Sequence, residues 1–452
     1  MMMVINYFKR YRHIAPLAML RIAFGAVLFV STVRFILKGW VTDFYITPRF
    51  HFPFYGFEWL HPGSAGFMYT VYGVMAAAAL CICTGLFYRI ATVVFFCCFG
   101  YAEMLDKTYY LNHYYLVTIF SFLLILVPAH RYCSLDVLRK PALRVTQVPS
   151  WTILIFKYQL CLIYFFAGLS KISYDWLIEA LPLRIWLPAK APTVPIVGPL
   201  LQHDWVAYLF SWGGMLFDLS IGFLLLYRPT RRPAYLLVII FHVLTALIFQ
   251  IGVFPYLMMS ATLIFFSENF HRSILEKVSA LFRRKSIRGE EKLLVLSRPV
   301  RTTLLVVLMV HFLLQALVPL RYLLYPGTLF WTEEGYRFSW RVMLMEKSGT
   351  TYFYIKNPAT GRKFQVNNGK FLTPYQERMM ETQPDMMLQY AHILASAYKD
   401  RGINNPQVTV ESYVTLNGHG SRLFIDSARN LASEKETWFG HKNWILPMDE
   451  KN

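Results

Sequence analysis

Nine predominantly apolar stretches recur between Pro16 and Leu324: Pro16–Leu37, Gly66–Phe87, Ile90–Leu105, Tyr114–Pro128, Trp151–Leu169, Val206–Tyr227, Pro233–Gln250, Val253–Phe266 and Thr302–Leu324. Most come near the roughly 20 residues that cross a bilayer as a helix, and several are short. Hydrocarbon offers no water to satisfy backbone polar groups, so a chain of such stretches is restricted to a helical bundle. Composition agrees: 56% of residues are hydrophobic, 17% aromatic and only 16% charged, where a soluble domain carries nearer a quarter charged. The expected fold is an all-α polytopic membrane bundle of eight or nine spans. Pro16–Leu37 is too long for a secretory signal and has no convincing small-residue cleavage site, so it reads as the first span.

The net charge of +19 would suit nucleic acid if it formed one patch, but the basic residues fall in alternate connections between spans. Lys9, Arg10 and Arg12 precede the first; Arg131, Arg139, Lys140 and Arg144 follow the fourth; Arg228, Arg231 and Arg232 follow the sixth; FRRKSIR (282–288) follows the eighth. By the positive-inside rule the N-terminus is cytoplasmic and everything after the ninth span is exoplasmic. The six cysteines lie in or beside spans, so no disulfide framework is expected. No set of His or Cys ligands surrounds Cys81 and Cys83, and no metal site is assigned.

From about Pro326 the chain turns polar, with 15 Lys plus Arg against 13 Asp plus Glu and no spanning run. TTYFYIK (350–356) and RKFQV (362–366) flank NPATG as one hairpin. QVTVESYVTL (407–416) and SRLFI (421–425) flank Asn417-Gly418 as a second. Between them Pro384 opens and Gly402 closes a helix with Met386, Met387, Tyr390, Ile393, Leu394 and Ala397 on one face. The expected organisation is a transmembrane domain, residues 1–325, followed by a small exoplasmic α+β domain, residues 326–452.

On this topology the unusual polar residues gather on the exoplasmic half. Asp106, Lys107, Asn112 and His113 lie in LDKTYYLNHYYL (105–116), Lys171 and Asp175 follow span five, Asp218 lies in span six and His242 in span seven. An ionisable group inside a span costs roughly 2.5–3.5 kcal/mol on insertion scales, which makes each a functional candidate. Each also has a plain reading: a packed histidine, a snorkelling lysine, an aspartate paired with a lysine. One shared cavity would account for all of them.

LDKTYYLNHYYL, YFFAGLSKISYDWL (164–177), GGMLFDLSIGFLLLY (213–227), FHVLTALIFQIGVFPY (241–256) and TEEGYRFSWRVMLM (332–345) resemble, in order and spacing, segments of the vitamin K-dependent gamma-glutamyl carboxylase family. The resemblance covers nearly the whole chain. It implies an enzyme that oxygenates reduced vitamin K to its epoxide with O2 and couples this to γ-carboxylation of protein glutamate with CO2. Lys171, after Ala167-Gly168, matches the family's catalytic lysine. A free lysine, with a pKa of about 10.4, is protonated at neutral pH, and desolvation in an apolar wall disfavours that form. His113 matches the histidine that meets the glutamyl group, with Asn112 expected to orient it and Asp175 expected to point away from Lys171. Tyr164, Tyr336, Ser339 and Trp340 resemble residues lining the glutamate site, and Asp218 and His242 are grouped with them. Implied partners are a glutamate-bearing protein or peptide, lipid and the quinone, with no nucleic acid and no metal.

The chain departs from the family in having Ser170-Lys171 where longer animal carboxylases have paired lysines, Tyr322 after Pro319 where they have a histidine, and no tail cysteines. Animal-type propeptide recognition is not expected to carry over. Two alternatives remain: a quinol epoxidase without protein carboxylation, and a transporter or lipid-binding protein with Asp218 and His242 on its pathway. Transporters usually carry inverted repeats, and none is evident.

Overall fold

The computed structural model describes residues 10–194, 196–249, 251–281 and 292–448, with only the backbone of 279 and 281. Lys9, Gln250 and the FRRKSIR run lie outside the described residues. Within them, seven helices are long and apolar enough to cross a membrane: α1 (Ala15–Leu37), α2 (Ala65–Thr84), α3 (Tyr88–Leu105), α5 (Trp151–Leu169), α6 (Asp204–Leu226), α7 (Arg231–Phe249) and α10 (Arg298–Leu317, continued by a 3-10 turn to Leu324). Two shorter apolar helices, α4 (Asn112–Leu126) and α8 (Phe254–Thr262), fall on the fourth and eighth stretches. All nine apolar stretches are therefore helical. The amphipathic α9 (Glu268–Leu281) follows α8.

Local chemistry fixes how these helices meet. A Cβ at Gly25 would lie 2.4 Å from the Cys83 nitrogen, so only glycine lets α1 and α2 approach this closely. Arg21, fully buried in α1, donates to carbonyls at the end of α2, Ile82 at 2.8 Å and Cys83 at 2.5 Å, and to Cys133 at 2.6 Å. The charge sits at a helix C-terminus, where the dipole favours a cation. At the same end, β1 (Tyr11–His13) pairs antiparallel with β2 (Gln147–Pro149).

The C-terminal region is a four-stranded antiparallel sheet in the order β4-β3-β5-β6. Its strands are β3 (Lys347–Lys356), β4 (Lys363–Gln365), β5 (Gln407–Leu416) and β6 (His419–Leu423). Asn417 and Gly418 have φ of 51° and 80°, the pair of left-handed residues that a two-residue hairpin turn requires. Helix α11 (Pro374–Met380), opened by a Thr373/Gln376 capping box, precedes α12 (Pro384–Lys399). α12 buries Met386, Met387, Tyr390 and Leu394 in one core with Phe353, Val408 and Val410 of the sheet. That core also takes Phe52, from the connection between α1 and α2.

The sheet region is tied to the bundle by a buried charge cluster. Asp385, at the start of α12, meets Lys107 at 2.8 Å and Arg337 at 2.6 Å. The Lys107 side chain is 1% exposed. Burial alone would push the Asp385 carboxyl up, but the charges of Arg337 and Lys107 outweigh it and hold the group well below the usual carboxylate range. Asp106 caps Thr108 (2.9 Å) and accepts from Gln376 (3.2 Å). These two loop residues thus hold the two parts of the chain together.

Candidate functional site

A Cβ on Gly168 would lie 2.7 Å from the Leu219 nitrogen, so α5 and α6 touch backbone to backbone at this point. The contact sets Lys171, in the turn just after α5, beside Asp218, the neighbour of Leu219. Lys171 Nζ donates to Asp218 Oδ2 at 2.7 Å and to the Ala167 carbonyl at 3.2 Å. Both side chains are under a tenth exposed. The carboxylate against the lysine is therefore Asp218. Asp175 points away, as expected, accepting from Asn417 at 2.7 Å and lying 3.5 Å from His419.

The pair forms one wall of an apolar cavity. Trp176, Trp186, Phe210, Phe241, Phe249 and Phe254 supply much of the remaining lining. On it also lie Tyr164 and His242, whose hydroxyl and Nε2 are 3.1 Å apart. Four of the sequence-selected residues, Tyr164, Lys171, Asp218 and His242, thus share one greasy chamber.

Asn112 and His113 line a second, more polar cavity of about 1470 Å³ empty volume, with Arg34, Tyr336 and Arg341. The two cavities have Phe249, Ile251, Phe254, Val342 and Met343 in common. The expectation of one shared cavity becomes two chambers with a common wall. Asn112 does not bond His113. Its amide donates to the Arg341 carbonyl at 2.7 Å and its oxygen accepts from Tyr110 at 3.1 Å. His113 instead packs edge-on against Tyr114 and beside Phe254, ring centres 4.6 and 5.9 Å away.

Strained backbone leads into the common wall and reaches it at Met343. Phe338, Trp340 and Met343 have φ of 59°, 59° and 53°, a left-handed conformation that costs non-glycine residues of order 1–3 kcal/mol each. Tyr110 accepts from the Phe338 amide at 2.8 Å, and Asn112 holds the Arg341 carbonyl. Tyr110 lies just before α4 and Asn112 opens it. Tyr336 reaches the second cavity, but Ser339 and Trp340 line neither. Ser339 is fully buried and bonds the Tyr336 carbonyl. Trp340 stacks on Tyr115, ring centres 4.8 Å apart.

The HTTM domain model matches residues 9–270, and the vitamin K-dependent gamma-carboxylase lumenal domain model matches residues 300–451. The chain belongs to the vitamin K-dependent carboxylase family. No solved structure matches it. It is a multi-pass, carboxylase-like membrane protein with a small C-terminal sheet domain of the lumenal type.

In this carboxylase-family protein several buried polar residues escaped the sequence reading. Gln159 of α5 bonds Gln315 of α10 (2.9 Å) and His311 (2.9 Å), and Gln315 donates to Tyr115 (2.7 Å) beneath Trp340. Their signal was present, since two glutamines and a histidine inside apolar spans are as unusual as His242. Arg34, near the end of α1, was passed over for the same reason. Asp175, Glu179 and His419 each bring one potential metal-ligand atom within 4.8 Å of the others; sequence spacing gives no hint of this cluster.

Proposed function

We propose that the chain is an integral membrane gamma-glutamyl carboxylase that uses reduced vitamin K, O2 and CO2 to convert glutamate of a protein or peptide into γ-carboxyglutamate, the quinol leaving as its epoxide. What carries this reading is the Lys171–Asp218 pair on an apolar chamber that shares a wall with a chamber holding Asn112, His113 and two arginines. The aromatic, apolar lining of the first chamber fits a lipophilic quinol. When bound, reduced vitamin K supplies with O2 the strong base that no side chain can provide. The protein's own residues do the rest. Lys171 and Asp218 act as one proton-accepting pair: Nζ passes a proton to Asp218 as it takes one from the chamber, and the Ala167 carbonyl and Asp218 hold the ammonium. A positioned proton acceptor of this kind contributes about 10²–10⁴-fold. Tyr164 and His242 orient the ring from the facing helices, and the apolar wall excludes water.

In the second chamber Arg34 and Arg341 provide the charge for a glutamyl carboxylate, since guanidinium pairs carboxylate with two parallel donors. His113 and Tyr336 lie against the same substrate, and Asn112 keeps Arg341 in place. The γ-carbon loses its proton across the common wall, and the electron pair left behind captures CO2. On the positive-inside rule the N-terminus is cytoplasmic and residues 326–452 form the exoplasmic domain that presents the peptide.

The test is purified protein in detergent with reduced vitamin K, O2, labelled bicarbonate and a glutamyl peptide. Epoxide and labelled γ-carboxyglutamate are expected together. Epoxide without label would point to a quinol epoxidase, and a folded sample yielding neither product would refute the enzymatic reading.

A further inference from the structure

A third cavity, with about 1140 Å³ of empty volume, opens at the other end of α5 from Lys171. Among the described residues four cationic side chains line it, Arg12, Lys157, Arg228 and Arg231, with one carboxylate, Glu268. That carboxylate is already engaged, with Arg12 at 3.3 Å and the His13 amide at 3.0 Å. Lys157 is the unusual member. It lies six residues inside α5, roughly 9 Å along the axis, where an ammonium normally has a partner or snorkels outward. Among the described residues its ammonium has no ion pair or hydrogen bond, only the Phe265 ring at 5.7 Å. Arg231 donates to the carbonyls of Leu225 and Leu226, at 2.8 and 3.0 Å. Pro16, Leu154, Leu226, Phe265 and Phe266 make the rest of the lining apolar.

We propose that this cavity binds an anionic phospholipid, its phosphate reaching Lys157 and Arg228 near the rim, and an acyl chain against the apolar lining. The charge of Lys157 and Arg228 selects a monoanionic headgroup over a zwitterionic one, whose own cation they would repel. Basic pockets between membrane helices take lipid phosphates in this manner. A free phosphate would use the same cations but would leave the apolar wall bare.

The test is native mass spectrometry of the full chain in neutral detergent, titrated with dioleoylphosphatidylglycerol or dioleoylphosphatidylcholine. Phosphatidylglycerol is expected to bind at least about fivefold more tightly. Lys157→Gln should weaken it by about fivefold, the contribution of one basic group near a membrane surface, while phosphatidylcholine binding stays unchanged. Arg228→Gln, on an exposed turn, should weaken it in the same direction and decides the matter if Lys157→Gln misfolds. Equal retention of the two lipids, or wild-type binding by the folded variants, would overturn the proposal. So would complete displacement of the lipid by millimolar inorganic phosphate.

Discussion

Asp385→Asn removes the carboxylate that neutralises two cations between the bundle and the sheet region. Lys107 is 2.8 Å away with its side chain 1% exposed, and Arg337 is 2.6 Å away with its side chain 15% exposed. An amide there leaves both charges poorly compensated, and breaking a buried pair in this way costs about 3–5 kcal/mol. Against a total stability of about 5–15 kcal/mol that is a large fraction. The loss should be read by SDS-titrated unfolding in mixed micelles at pH 7, 5 and 3.5. Asp385 is held below the usual carboxylate range in the folded protein, so its contribution is complete above its unfolded pKa of about 3.9 and is lost as pH falls through the folded value. The gap between wild type and Asp385→Asn should be constant from pH 7 to 5 and begin to narrow near pH 3.5. A gap under about 1 kcal/mol at pH 7 would show that this cluster does not carry the docking.

Other expectations rest on the Lys171 site. Lys171→Met should lower epoxide and γ-carboxyglutamate formation together by at least about 10²-fold, the range for a lost proton acceptor; loss of label with epoxide intact would contradict its assigned role. In a double-mutant cycle on unfolding, Asp218→Asn combined with Lys171→Met should cost less than the summed singles by at least about 1 kcal/mol, and additivity would argue against a buried pair. Gly168→Ala puts a methyl 2.7 Å from the Leu219 nitrogen, so a destabilisation of about 1–3 kcal/mol is expected together with reduced activity. Arg34→Gln should raise KM for the glutamyl peptide more than it changes epoxide formation without peptide, and an equal effect on both would remove Arg34 from the peptide chamber.

Hydropathy made the bundle legible, because nine apolar runs leave the backbone little choice but helix. The Asn417-Gly418 turn and the flanking alternation did the same for the second hairpin. The site was legible only in its members. Lys171 and Asp218 lie 47 positions apart on different elements, and only Gly168 hints at the helix contact that joins them. The Asn112–Arg341 link spans 229 positions, which no local pattern encodes. Ser339 and Trp340 stood out by resemblance, yet the left-handed backbone at Trp340 turns that indole onto Tyr115, a conformation side-chain patterning does not predict.

The partition of Phe254, Val342 and Met343 belongs to both chambers, so neither compartment can be reshaped alone. A bulkier occupant on the lysine side would press on side chains that also bound the arginine side. On the proposed function, selectivity for the two reactants is therefore joint, and a variant chosen to admit a larger quinone would be expected to alter which peptides are accepted.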